Sequence, residues 1–158
     1  MENNIAEFVA KTFGNNSTTP FRVYNPNLLK PTEQIRIKSI EKAEKYTIVE
    51  FQYKASLVNA RGGFINIRSG CYIQPVQTTK RMVLWKAFGI PTAPQKLYLS
   101  ANCGYQCFSL LFAALPKKVT SINFIESSLP GYHIKFQDVD FSNWWTIPHA
   151  IDFPISSN

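Results

Sequence analysis

Three cysteines, Cys71, Cys103 and Cys107, and two histidines, His133 and His149, are the side chains in this sequence best suited to metal or nucleophilic chemistry. Cys103-Gly104-Tyr105-Gln106-Cys107 could bring two thiolates together, with Cys71 and His133 as further ligands. A structural zinc ion needs four such ligands at about 2.0–2.3 Å in a tetrahedron. The spacing is off the usual short knuckle, and no second cysteine pair exists. A turn at Cys103 leading into a strand that contains Cys107 is the simpler reading, and no metal or other cofactor is expected. His149 with Asp152, or His133 with Asp138, could supply a general base and its orienting carboxylate for a serine nucleophile. No Gly-x-Ser-x-Gly elbow is present, however, and with so few histidines such pairs arise by chance. Asp138 and Asp140 fall on one strand face near a strand end in solvent, so the sequence does not support paired carboxylates for acid–base work. Arg61-Gly62-Gly63 is too short for a phosphate loop and reads as a turn. No catalytic residue is assigned, and a hydrolase is the last of three functional readings.

The charge distribution points to binding instead. The formal net charge is +7, unevenly placed. Residues 1–50 hold seven bases and six acids, and residues 126–158 hold one base and four acids. Between Glu50 and Glu126 lie nine bases and no acid. Such a stretch suggests an anionic partner. Within it, Arg68, Arg81 and Lys86 interleave with aromatic and apolar residues in Phe64–Arg68 and Arg81–Lys86. Single-stranded nucleic acid is held by that combination, with bases on rings and phosphates on cations. In a two-layered sheet protein, Val83 and Trp85 would more simply be core. Lys117 and Lys118 follow Pro116, which cannot donate to a strand ladder, so they read as solvated turn residues between two strands. Trp144 and Trp145 are adjacent. On an extended segment they point to opposite sides, so one face cannot bury both. One of them is expected at an interface, or else covered by an N-terminal lid carrying Phe8 and Phe13.

These residues must be positioned by short strands. Hydrophobic residues make up 45% and aromatic residues 14% of 158 positions, enough for one domain with a real core. Ile5, Phe8, Val9 and Phe13 recur at helical spacing, which predicts a helix over Glu2–Phe13 with Asn3 or Asn4 as cap and Gly14 as stop. Asn15–Pro31 reads as a linker. The period then changes to two. Thr47, Val49, Phe51 and Tyr53 face one way against Glu50, Gln52 and Lys54. Ile35 and Ile37, Ile65 and Ile67, and Phe108, Leu110 and Phe112 alternate in the same manner. Cys71–Gln77 and Lys80–Phe88 read as strands around a turn. Ile122 with Phe124, and Ile134 with Phe136, continue the pattern. Parity slips before Val139, which predicts a bulge at Gln137-Asp138. About eight short strands without intervening helices indicate an antiparallel sandwich or barrel.

The order of these segments resembles a group of bacterial immunoglobulin-like β-sandwich domains, found alone or attached to cell-envelope proteins. The resemblance rests on TIVEFQYKA (47–55), on GFINIRSGCYIQ (63–74), and on the segment from LWKAFGIPTAPQKLYLS (84–100) through FSLLFAALPKKVTSINFIES (108–127). It includes a Leu-Pro-basic turn at Leu115, Pro116 and Lys117, and a strand ending Phe124-Ile125-Glu126. It covers roughly residues 33–141 and implies a fold but no activity.

The expected architecture is therefore all-β: an immunoglobulin-like antiparallel sandwich of about seven to nine strands. Residues 1–32 would form a helix or arm with its linker, 33–141 the sandwich, and 142–158 an aromatic tail. The leading function is a non-enzymatic accessory module that binds an acidic or amphipathic protein partner, or another copy of itself. Its contact residues would be Trp144, Trp145, Arg68, Arg81, Lys86, Lys117 and Lys118. The alternative is a single-stranded nucleic-acid-binding protein using residues 51–125. No stretch approaches the roughly 18 apolar residues of a membrane span. MENNIAEFVAKTFG has no apolar leader core, so the sequence as written reads as cytoplasmic, or as periplasmic or envelope-located if a leader has been removed.

Overall fold

In the computed structural model, residues 4–14, 19–27, 34–54, 63–99, 104–127, 129 and 133–146 are described. The chain opens with α1 (Ile5–Phe13), a single helix with both ends satisfied. Asn4 caps it, its side-chain oxygen accepting from the Glu7 amide at 3.0 Å. Gly14 stops it at φ +69°, and its amide donates to Ala10 O. That left-handed conformation suits glycine, which has no Cβ to clash. The predicted helix is present from Ile5, with the Asn4 cap and the Gly14 stop; Glu2 and Asn3 lie outside the described residues.

Among the described residues eleven strands follow: β1 (Phe21–Tyr24), β2 (Ile35–Lys42), β3 (Thr47–Lys54), β4 (Phe64–Ile65), β5 (Tyr72–Pro75), β6 (Met82–Phe88), β7 (Leu97–Tyr98), β8 (Tyr105–Phe112), β9 (Ser121–Ile125), β10 (Lys135–Asp140) and β11 (Trp145–Thr146). Nine form one antiparallel sheet in the order β10-β9-β5-β6-β8-β3-β2-β1-β11, while β4 and β7 pair separately. The sheet is curled. Its edge strands β10 and β11 are joined by residues 141–144 alone. At about 3.6 Å per residue, that connection holds the two edges within about 18 Å. The turn in the sheet falls in β6. Met82 and Val83 pair with β5, whereas Leu84–Phe88 pair with β8 across a register shift between Leu84 and Lys86.

The concave side holds the core. Val49 and Phe51 of β3, Leu110 and Phe112 of β8, and Ile122 and Phe124 of β9 are all fully buried. Phe51 stacks on Phe108 and meets Phe124 edge-on, both at 4.9 Å, so the far parts of the curl touch. Each such side chain contributes roughly 1.5–3 kcal/mol on leaving water. Packed on the opposite face is a second cluster, in which α1 covers Tyr46, Ile48, Phe88 and Leu111 with Ile5, Phe8, Val9 and Phe13. Strands β3 and β8 are thus buried on both faces where α1 lies, which is why Leu110, Leu111 and Phe112 run together without alternation.

Several expectations are corrected. Val83 and Trp85 are 51% and 49% exposed rather than core. Val83 and Trp85 alternate with Met82 and Leu84, which pack in the core, while Phe88 faces α1. Trp85 stacks on Phe13 of α1 at 5.9 Å. Residues 21–24, expected within the linker, form β1 between β2 and β11. The sheet therefore begins before residue 33, and β11 carries it past residue 141. The bulge in β10 lies where the parity slip put it. The register shifts between Phe136 and Val139, Asp138 takes φ +53°, and its amide donates to Asn123 Oδ1 at 2.8 Å.

Candidate functional site

A cleft of about 940 Å³ is walled by the Asn66–Gly70 segment, Tyr72, Arg81, the Ala93–Lys96 loop, the end of β9 and Ile134. Its floor is built by hydrogen bonding. Ile67 N donates to Pro91 O at 3.0 Å, and Ala93 N donates back to Ile67 O at 2.8 Å. Asn66 Nδ2 donates to Gln95 O at 2.9 Å. These bonds clamp two irregular segments side by side. Cys71 N then donates to Arg68 O at 3.1 Å, closing a turn with Ser69 and Gly70 at its tip.

Glu126 ties this turn to the rest of the molecule. The residue is buried, and its carboxylate accepts from Arg68 N at 3.2 Å and from Ile134 N at 2.8 Å. Its own amide donates to Ile134 O at 3.0 Å. The charge is therefore spent on backbone donors within the floor. Neighbouring Cys71 is fully buried, and desolvation, with the Glu126 charge adding to it, pushes its thiol up to about 12. His133 Nδ1 lies 4.0 Å from Glu126 Oε1, beyond hydrogen-bond reach, and Nε2 is buried without a hydrogen-bond partner. The carboxylate beside His133 is Glu126, not the Asp138 that lies five positions after it.

Three cations stand around this floor. Arg81 is held with its guanidinium 4.4 Å from the Tyr72 ring centroid, and Lys96 with its Nζ 4.5 Å from that of Phe64. Arg68 projects from the exposed turn. None of the three forms an ion pair with a described acid. Residues 28 positions apart in the acid-free stretch, from Arg68 to Lys96, thus converge on one site. An anion entering the cleft would meet positive charge on several sides, with the one buried carboxylate already engaged.

Of the seven predicted contact residues, only Arg68 and Arg81 line this cleft. Lys86 lies on the α1 side, its Nζ 4.7 Å from the Phe8 ring and 5.7 Å from that of Phe88. Lys117 and Lys118 are exposed in the turn between β8 and β9, as expected. Lys42 staples that turn, donating at 2.7 Å to both Lys117 O and Val119 O. Desolvation lowers the Lys42 pKa. Trp144 is half-buried, 6.3 Å from Phe141 edge-on, and Trp145 is 38% exposed on β11 opposite Tyr24. Alternation does split the two rings, but α1 is not their cover, because Phe8 and Phe13 sit on Phe88, Tyr46 and Trp85. Lys96 and Glu126 were not picked out as site residues in the sequence. The signal available was that Glu126 ends the acid-free stretch directly after an apolar strand.

Cys103, His149 and Asp152 lie outside the described residues. Cys107, on β8, has Lys38 Nζ 3.9 Å from its sulfur, and burial raises its thiol pKa. Among the described residues no three His, Cys, Asp or Glu side chains group closely enough to hold a metal ion. No described helix is long and apolar enough to cross a membrane. No protein-family model, curated protein or solved structure matches the chain.

Proposed function

We propose that this chain is a non-catalytic binding module whose cleft takes an acidic segment of a protein partner. The observation that carries the reading is the convergence of Arg68, Arg81 and Lys96 on one cleft without a described acid paired to any of them. A volume of about 940 Å³ suits several side chains of an extended peptide. Trp145, partly exposed at the sheet edge, supplies a second contact, with the partner or with another copy of the chain. The same reading takes the curled sheet as a sandwich of the immunoglobulin-like kind. Support comes from Phe51 facing Phe124 across the core and from β6 passing between the two halves at a register shift.

Single-stranded nucleic acid is the second reading, favoured by the rings of Phe64 and Tyr72 among the cations. It ranks lower because each ring already carries one of the protein's own cations, which competes with a stacking base for the same face.

The test is fluorescence anisotropy with a labelled Asp/Glu-rich peptide and a mixed-sequence single-stranded oligonucleotide. The peptide is expected to bind, more weakly as salt rises. Reversal of all three cations (Arg68→Glu, Arg81→Glu, Lys96→Glu) abolishes binding, whereas Lys117→Glu with Lys118→Glu leaves it largely intact. Undiminished binding after the triple reversal would overturn the cleft as the site. Oligonucleotide binding tighter than peptide binding, with a steep log–log salt slope, would put the second reading first.

A further inference from the structure

The cleft contains more than cations. The turn Arg68-Ser69-Gly70-Cys71 spends only its last amide on its own closure, Cys71 N to Arg68 O. The Arg68 amide is taken by Glu126. The amides of Ser69 and Gly70 donate to nothing within the described residues. Both residues line the cleft and are exposed. A Cβ built on Gly70 would meet nothing within 4 Å, so a ligand can approach the main chain there closely. Two successive unspent amides beside arginine side chains are the kind of donors from which a backbone anion site is made. Arg81 is brought to the same wall by Tyr72, the residue that directly follows the turn.

We propose that this wall is a subsite for a phosphomonoester carried on a side chain of the acidic partner segment, that is, for a phosphorylated peptide. The inference rests on the cleft being the binding site, as argued above. Charge and geometry select the group. A phosphomonoester carries about −1.5 to −2 at neutral pH and three acceptor oxygens, against −1 and two oxygens for a carboxylate. Two guanidinium forks, two amides and the Ser69 hydroxyl are donors only or can donate, and they outnumber what one carboxylate can accept. Glu126 does not compete, because its oxygens already hold the Arg68 and Ile134 amides. Internal phosphates of a nucleic-acid strand carry a single charge each and bring bases that need ring faces, which Arg81 and Lys96 occupy here.

The experiment uses the full chain and three labelled peptides of one acidic sequence, carrying phosphoserine, serine or glutamate at the same position. The phosphoserine peptide is expected to bind roughly tenfold or more tightly than the glutamate peptide. Arg81→Lys, which keeps the charge and loses the fork, should erase most of that preference at an unchanged circular dichroism spectrum. Arg68→Ala should weaken the phosphopeptide more than the glutamate peptide. Equal affinities for the phosphoserine and glutamate peptides would overturn the phosphomonoester subsite while leaving the acidic-segment reading standing. Failure of all three peptides to bind would overturn both. Inorganic phosphate that binds as tightly as the phosphopeptide would overturn the partner-borne assignment in favour of a free phosphate, and a single-stranded oligonucleotide that outcompetes the phosphopeptide would likewise overturn it.

Discussion

Replacing Glu126 by Gln should loosen the floor of the cleft by an amount the structure allows to be worked out. The side chain is 8% exposed, and both of its oxygens are engaged, Oε1 by the Ile134 amide and Oε2 by that of Arg68. A glutamine keeps the shape but offers one oxygen. If that oxygen stays on the 2.8 Å bond to Ile134, the new NH2 group faces the Arg68 amide, donor against donor. One charge-assisted bond is lost, and one part-buried amide is left without an acceptor. The cost of such a change is about 1–3 kcal/mol. For a domain of this size each kcal/mol shifts the melting temperature by about 2–4 °C, so a fall of roughly 2–12 °C is expected. Chemical denaturation measures the free energy, and amide hydrogen exchange locates it. The Arg68 amide should lose protection first, while amides of the β3–β8 ladder exchange as in the parent protein apart from the global shift. Glu126→Ala removes both acceptors and should cost more than Glu126→Gln. A glutamine variant as stable as the parent, with Arg68 protection intact, would refute the assignment of Glu126 as the residue that holds the turn.

Other outcomes follow from the same geometry. Phe13→Ala should cost about 1–3 kcal/mol, since the ring sits between Tyr46 at 5.2 Å and Trp85 at 5.9 Å; tryptophan emission should shift to the red as Trp85 loses its cover, and an unshifted spectrum would count against the docked helix. The Cys71 thiol, buried and pushed up to about 12, should stay unalkylated by iodoacetamide in the native protein at pH 8 and react once the chain is unfolded, as read by peptide mass spectrometry. Its linkage to stability has a definite sign. Above the ordinary thiol value of 9.0 the unfolded chain releases the proton while the folded chain keeps it to about 12, so this thiol's contribution to stability declines as pH rises through that window. Trp145→Ala should leave the melting temperature within about 1 °C to 3 °C of the parent while lowering self-association or partner binding by sedimentation or anisotropy, as fits an exposed ring; a large stability loss with association unchanged would make Trp145 a packing residue.

How much of this was written in the sequence depends on how local the determining physics is. The helix, its Asn4 cap and its Gly14 stop were legible because each is set by residues within one or two turns of each other. The strands β2, β3, β8 and β9 were legible because one buried face imposes a period of two, and the bulge in β10 because one extra residue breaks that period where Asp138 sits. The all-β composition and the charge-asymmetric middle of the chain were likewise open to reading, since both need only counting. Strands β1, β7 and β11 were not legible. They are two to four residues long, and nothing but a neighbouring strand makes them extended. The exposure of Trp85 was misread for a related reason, because which face of β6 is buried is fixed by its partners, of which β8 lies more than 20 residues away in the chain. The site itself was beyond the sequence in principle. Arg68, Arg81, Lys96 and Glu126 carry no shared spacing, and what joins them is the curl of the sheet, the clamp between residues 66–67 and 91–95, and one buried carboxylate reaching across 58 positions to the Arg68 amide. Composition determined how unevenly charge lies along the chain; only the packing of distant segments decided where Arg68, Arg81 and Lys96 meet.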